Sequence, residues 1–152
     1  MFIVVALVLG IVSGLRTMTS PAVTSWAARM GLLGVSGTSM AFMGFKYTPI
    51  IFTLLAIGEL INDKLPKTAS RKTPPQFIAR IVSGCLVGAT VGAAAGSLTV
   101  GLLAGALGAV IGTLGGAAIR GRLATAFKKD LPAALLEDVA AIVISILAVS
   151  KF

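Results

Sequence analysis

At 152 residues, with 57% hydrophobic and 12% charged side chains, the chain has too little polar surface to cover so apolar a core in water. A single integral membrane domain over residues 1–152 is expected, all-α, at about 20 apolar residues per crossing. The net charge of +8 does not indicate nucleic acid, because no aromatic residues interleave with the basic ones.

Residues 2 to 15 predict an apolar helix. No Lys or Arg precedes them, so the basic start of a signal peptide is missing and a retained helix is expected. The run is interrupted by Ser13-Gly14-Leu15-Arg16-Thr17-Met18-Thr19-Ser20-Pro21, which is more polar than a membrane helix normally tolerates. Thr19 or Ser20 suits an N-cap with Pro21 at the first helical position. This predicts a broken first helix whose second half runs from about Pro21 to Met30. Arg29, beside Trp26, reads as an interfacial anchor, and Gly31 to Gly44 as a loop or interfacial segment.

Pro49 to Leu65 predicts a span entered through Tyr47 and ended by Asp63-Lys64-Leu65-Pro66. Lys67 to Pro75 reads as a loop. Gln76 to Ser97 and Leu98 to Ile119 predict two spans joined by a tight, uncharged turn. Arg120 to Asp130 reads as a second basic loop, and Pro132 to Val149 as the last span. Nine of the thirteen basic residues fall in the stretches 64–80 and 120–129, which places both in the cytoplasm by the positive-inside rule. There they can also meet anionic lipid headgroups. If the broken element crosses once there are five spans and Met1 is inside; if both halves cross there are six. The weak hydropathy of residues 21 to 45 favours five.

Glycine recurs at four-residue steps in the two middle spans. Gly84, Gly88, Gly92 and Gly96 share one face, and Gly108, Gly112 and Gly116, extended by Ala104, share another. Small residues at this spacing let backbones approach closely in lipid. The expectation is a glycine-zipper hairpin in which the two faces pack on each other, or one face packs across a homo-oligomer. Cys85 stands alone in an apolar run and reads as a packing residue. The absence of histidine excludes Ser-His-Asp and Cys-His catalysis. No cofactor is indicated, and a metal is left undetermined.

Four of the five carboxylates lie in, or at the mouth of, predicted spans: Glu59, Asp63, Glu137 and Asp138. A carboxylate in hydrocarbon costs roughly 2.5 kcal/mol or more on insertion scales, so it faces a partner, a bundle interior or a wet cavity. Glu59 and Asp63, four apart, project from one helix face. Asp63 could simply pair with the adjacent basic loop, whereas Glu59 lies a turn deeper. Glu137 and Asp138 are about 100° apart around their helix, so one is expected to face inward and the other to solvate the helix end. Arg16 could neutralise Glu59 or Glu137. Alternatively it could hold an anionic group together with the free N–H groups of the second half-helix, with Thr17, Thr19 and Ser20 as hydroxyl ligands.

The run Ser13-Gly14-Leu15-Arg16-Thr17 with Pro21, then Glu59-Leu60-Ile61-Asn62-Asp63-Lys64-Leu65-Pro66, Arg80 before Ser83-Gly84, and Glu137-Asp138-Val139-Ala140-Ala141 resembles a family of small bacterial membrane proteins. That family is known as domain of unknown function four-one-two-six. The resemblance covers nearly the whole chain in the same order and implies a bacterial inner-membrane protein. It marks Arg16, Pro21, Glu59, Asp63, Lys64, Pro66, Glu137 and Asp138 as motif positions, but brings no activity with it. The stretch after Arg16 is more polar here than the family pattern.

Two functions follow from the residues. The first is a small transporter or channel-like protein whose polar centre binds a cation, a proton or a small anionic solute. The second is a membrane scaffold or lipid-binding module whose charges form an internal salt-bridge network. A membrane enzyme, with paired carboxylates holding Mg²⁺ and a phosphate-bearing lipid, lacks any nucleophile or base constellation.

Overall fold

The structure, a computed structural model, describes residues 1–63, 74–127 and 130–152. Among the described residues the chain is all-α: α1 (Phe2–Leu15), α2 (Thr19–Arg29), α3 (Thr48–Asp63), α4 (Pro74–Ala94), α5 (Leu98–Phe127) and α6 (Asp130–Ser150), with a short 3-10 turn at Ala41–Gly44. Proline opens helices throughout: Pro21, Pro49, Pro74, Pro75 and Pro132 all lie in first turns. There a missing N–H costs nothing, because the first-turn N–H groups have no intrahelical partner anyway.

Two helical segments, Gln76–Ala94 and Leu98–Ile119, are long and apolar enough to cross a membrane; Phe2–Leu15 and Thr48–Glu59 are shorter apolar helices. The predicted loop at 120–129 is largely helix, since α5 continues through Arg120 and Arg122 to Phe127. At 30 residues it measures about 45 Å, longer than the roughly 30 Å hydrocarbon layer. Lys64, Lys67, Arg71, Lys72, Lys128 and Lys129 lie outside the described residues.

α1, α4 and α5 form the centre of the bundle, and glycine sets how closely they meet. A β-carbon added at Gly84 would fall within 3.0 Å of α5 backbone at Gly105, and one at Gly88 or Gly92 within 3.0 Å of α5 backbone at Gly101. The pairing differs from the expected one in two respects. Gly108 and Gly112 abut Leu7, Gly10 and Ile11 of α1, not the α4 stripe. Gly101 and Gly105 take that place, because all four lie on one arc of α5 that faces the seam between α1 and α4. Gly105 touches both neighbours, meeting Gly84 on one side and Gly10 on the other. Gly116 is buried.

Gly96 does not pack at all. It has φ +81° and open space around it. With Ser97 N–H on the Gly92 carbonyl (2.7 Å) and Gly96 N–H on Ala93 (3.1 Å), it ends α4 in a Schellman motif. Its conformation, not its missing side chain, is what the turn uses. Gly31 ends α2 the same way.

The glycine contacts also fix directions. Gly10 meets Gly105 while Gly14 meets Ala109 and Gly112, so α1 and α5 run parallel and α4 runs against both. α2 does not continue α1. Its Ser20 hydroxyl donates to the Leu9 carbonyl, eleven residues back, at 2.9 Å, which a straight continuation could not reach. It folds back, and α3 in turn runs against α2, with Trp26 on Thr53 (2.8 Å) at one end and Met18 on Glu59 (3.2 Å) at the other. Residues 31–44 close the end of the bundle nearer Met1. Leu33, Val35, Met40 and Met43 are buried there in one cluster with Val5, Leu9, Val87, Val91 and Val149.

Candidate functional site: the break between two half-helices

Helix α1 stops at Arg16, whose backbone is extended (φ −139°, ψ 115°). A helix end leaves carbonyls without partners, and the next helix begins with N–H groups in the same state. Helices α3, α4 and α5 each send a polar side chain to them. Arg80 of α4 donates to the Gly14 carbonyl at 2.8 Å, and Thr113 of α5 reaches the same oxygen at 3.5 Å. Ser83 of α4 donates to the Thr17 carbonyl. From α3, Glu59 accepts the Met18 N–H through Oε2 at 3.2 Å. Thr17, the residue before Met18, also acts on this carboxylate.

The first expectation for α2 is thus corrected. Neither Thr19 nor Ser20 caps it: the N-cap position is Met18, with no side-chain cap. Thr19 and Pro21 are inside the helix, and Ser20 spends its hydroxyl on α1. The carboxylate that serves the start of α2 comes from another helix. An anionic group at a helix N-terminus is favourable both by hydrogen bonding and by the helix dipole.

Arg16 is fully buried. It ion-pairs with Asp138 through Nη2, and with Glu137 through Nη1 at 3.7 Å. The sequence reading allowed only one of these acids to face inward. Both reach the same cation, because a guanidinium presents nitrogens in a fork wide enough to span adjacent helix positions. The two carboxylates are almost equally enclosed, at 8% and 10% side-chain exposure, and Asp138 shares its face of α6 with buried Ala141, Ser145 and Ala148.

The break therefore brings together Arg16, Thr17, Glu59, Glu137 and Asp138, with Thr19 and Ser20 buried beside them. Arg80, assigned from sequence to a cytoplasmic loop, is instead buried within α4 at 5% exposure. Its register could have revealed it: Arg80, Gly84, Gly88 and Gly92 are four apart, so Arg80 lies on the packed face. Asp63 closes α3, and its side chain lies outside the described residues. Glu59 Oε1 is buried and accepts no hydrogen bond, a state that normally demands an explanation.

Taken with the surface, this defines a class: a helical bundle with charge and hydroxyls inside and large aliphatic side chains outside, such as Leu54, Ile57, Leu103, Leu107, Ile144 and Leu147. The chain belongs to the family described as Domain of unknown function (DUF4126), whose model matches residues 3–151. No curated protein and no solved structure matches it significantly.

Proposed function

We propose that the chain is a multi-pass protein of the bacterial inner membrane that moves an ion or small solute through the polar centre at the helix break. The many exposed Leu, Ile and Val side chains of α3, α4, α5 and α6 are what lipid-facing helices present, and exposed apolar surface of this kind marks a membrane or partner contact. Irregular backbone at membrane depth is tolerated where protein encloses it, as the side chains of Glu59, Arg80, Ser83 and Thr113 do here. In this reading α1 and α2 form a hairpin that enters and leaves at one face, and the basic stretches 64–73 and 120–129 are cytoplasmic.

The observation that carries the reading is Glu59. Arg16, Glu137 and Asp138 are committed to one another, and Arg80 serves a backbone carbonyl. Glu59 carries a buried oxygen with neither a hydrogen bond nor an ion pair among the described residues, where an exchangeable species would sit. Purified protein in liposomes, assayed on a solid-supported membrane for charge movement driven by ion gradients, is expected to lose its current in Glu59→Gln. An unchanged current in that variant removes Glu59 from the pathway.

The scaffold reading is favoured by a different observation. Arg80, Ser83, Thr113 and Glu59 serve the backbone ends of the half-helices, and Arg16, Glu137 and Asp138 are bound to one another. A scaffold predicts that Glu59→Gln lowers stability; a transporter predicts a folded, silent protein.

A further inference from the structure

Three carboxylates and two guanidinium groups meet at the break: Glu59, Glu137 and Asp138 with Arg16 and Arg80. Among these described side chains one negative charge is in excess. Unbalanced charge surrounded by apolar helices is costly. Two of the acids are tied to Arg16. Glu59 forms no ion pair among the described residues, and half of its carboxylate is buried without a donor.

We infer that Glu59 is a proton-binding site and that the proton is the species this centre handles. Binding converts the carboxylate and a hydronium ion into a carboxylic acid and water; release reverses it. Only an O–H bond forms or breaks. A metal ion fits poorly, because Arg16 and Arg80 lie close enough to act on the same carboxylate and would repel it. Moreover, no group of three or more His, Cys, Asp or Glu among the described residues could hold one. A free anion would have to displace Glu59 from Met18 and compete with Glu137 and Asp138 for Arg16.

The centre can accommodate either form of the acid. Oε2 keeps the Met18 N–H in both. The Thr17 hydroxyl, which acts on the carboxylate, can donate to it when ionised and accept from it when the carboxyl carries a proton, since a hydroxyl does both. The groups acting on Glu59 are Arg16 and Thr17 from the break, Arg80 from α4, and Glu137 and Asp138 of α6 from across Arg16. Thus the ion pairs hold the break in place, and Glu59 is left as the group that exchanges.

The site assignment stands on geometry; what the proton then does rests on the transport reading. Both are tested on the full chain in phosphatidylethanolamine–phosphatidylglycerol liposomes. Infrared difference spectra across a pH titration are expected to show a carboxylic-acid C=O band that shifts down in D₂O and is lost in Glu59→Gln. If Glu59→Gln does not fold, Thr17→Val keeps the acid and is expected to move the band to higher frequency through loss of its hydrogen-bond partner. No band in the unmodified protein, a band that survives Glu59→Gln, or one unmoved by Thr17→Val overturns the inference. Acidification of an internal pH dye under a potassium diffusion potential is read in parallel. A Glu59-dependent band without acidification leaves the proton site standing and removes transport. Gradient-driven current without such a band removes the proton site and leaves transport.

Discussion

Arg16 is enclosed at 0% exposure, and what encloses it includes two carboxylates. A buried ion pair contributes little net stability when compared with apolar packing, but removing one member leaves the other charge stranded, at a cost of roughly 3–5 kcal/mol. Arg16→Met is therefore expected to lower the melting temperature of detergent-solubilised protein sharply. Neutralising the acids as well, in Arg16→Met with Glu137→Gln and Asp138→Asn, is expected to recover part of the loss. A single variant as stable as the parent would show that the pair is not formed. The charged residues of this centre were largely legible, because Arg16, Glu59, Glu137 and Asp138 interrupt apolar runs. Arg80 was not, because it adjoins a basic stretch and looks solvated; only its register with Gly84 and Gly88 hints that it turns inward. Ser83 was overlooked because a hydroxyl at the start of a glycine-rich helix carries no charge to mark it.

At the scale of the helices, spacing indicated that glycine faces are packed but not against what. The same four-residue step serves Gly84 to Gly92, which meet α5, and Gly108 to Gly112, which meet α1. A one-dimensional pattern specifies a face and leaves its neighbour open. The positions divide cleanly in their expected response to a methyl group. Gly105→Ala would place a β-carbon within 3.0 Å of Gly84 and Gly88 backbone, where nothing can move aside, and overpacking of this kind costs about 1–3 kcal/mol. Gly58 has nothing within 4 Å, so Gly58→Ala is expected to be neutral or to stabilise α3 by about 0.5–1 kcal/mol. Thermal unfolding of the two single variants under one set of conditions checks both. Equal behaviour would contradict the close approach of α1, α4 and α5 at Gly105.

For the molecule as a whole, the direction of α2 decides the layout. Its hydropathy is weak because its buried face carries Thr19, Ser20, Thr24 and Ser25, which is why composition favoured a single crossing. Reversal is a matter of backbone direction at Arg16 to Met18, and no residue pattern there announces it. Because α2 folds back, residues 31–44 lie at the Met1 end, together with the turn at Ala95–Ser97 and the C-terminus. The last turns of α5 lie at the other end. Single cysteines in a Cys85→Ala background distinguish the arrangements. Ser36 and Ala95, both exposed or at an exposed turn, should react with a membrane-impermeant maleimide from the same side of intact cells as Cys variants, and Arg122→Cys, on exposed helix, only after the membrane is opened. Were α1 and α2 one straight crossing, Ser36 would keep its side and the Met1 end would change, so Ile3→Cys, exposed near the start of α1, would label with Arg122→Cys and not with Ser36→Cys. The helix break would then no longer be ringed by α3, α4, α5 and α6, and the charges gathered there would lose their reason for meeting.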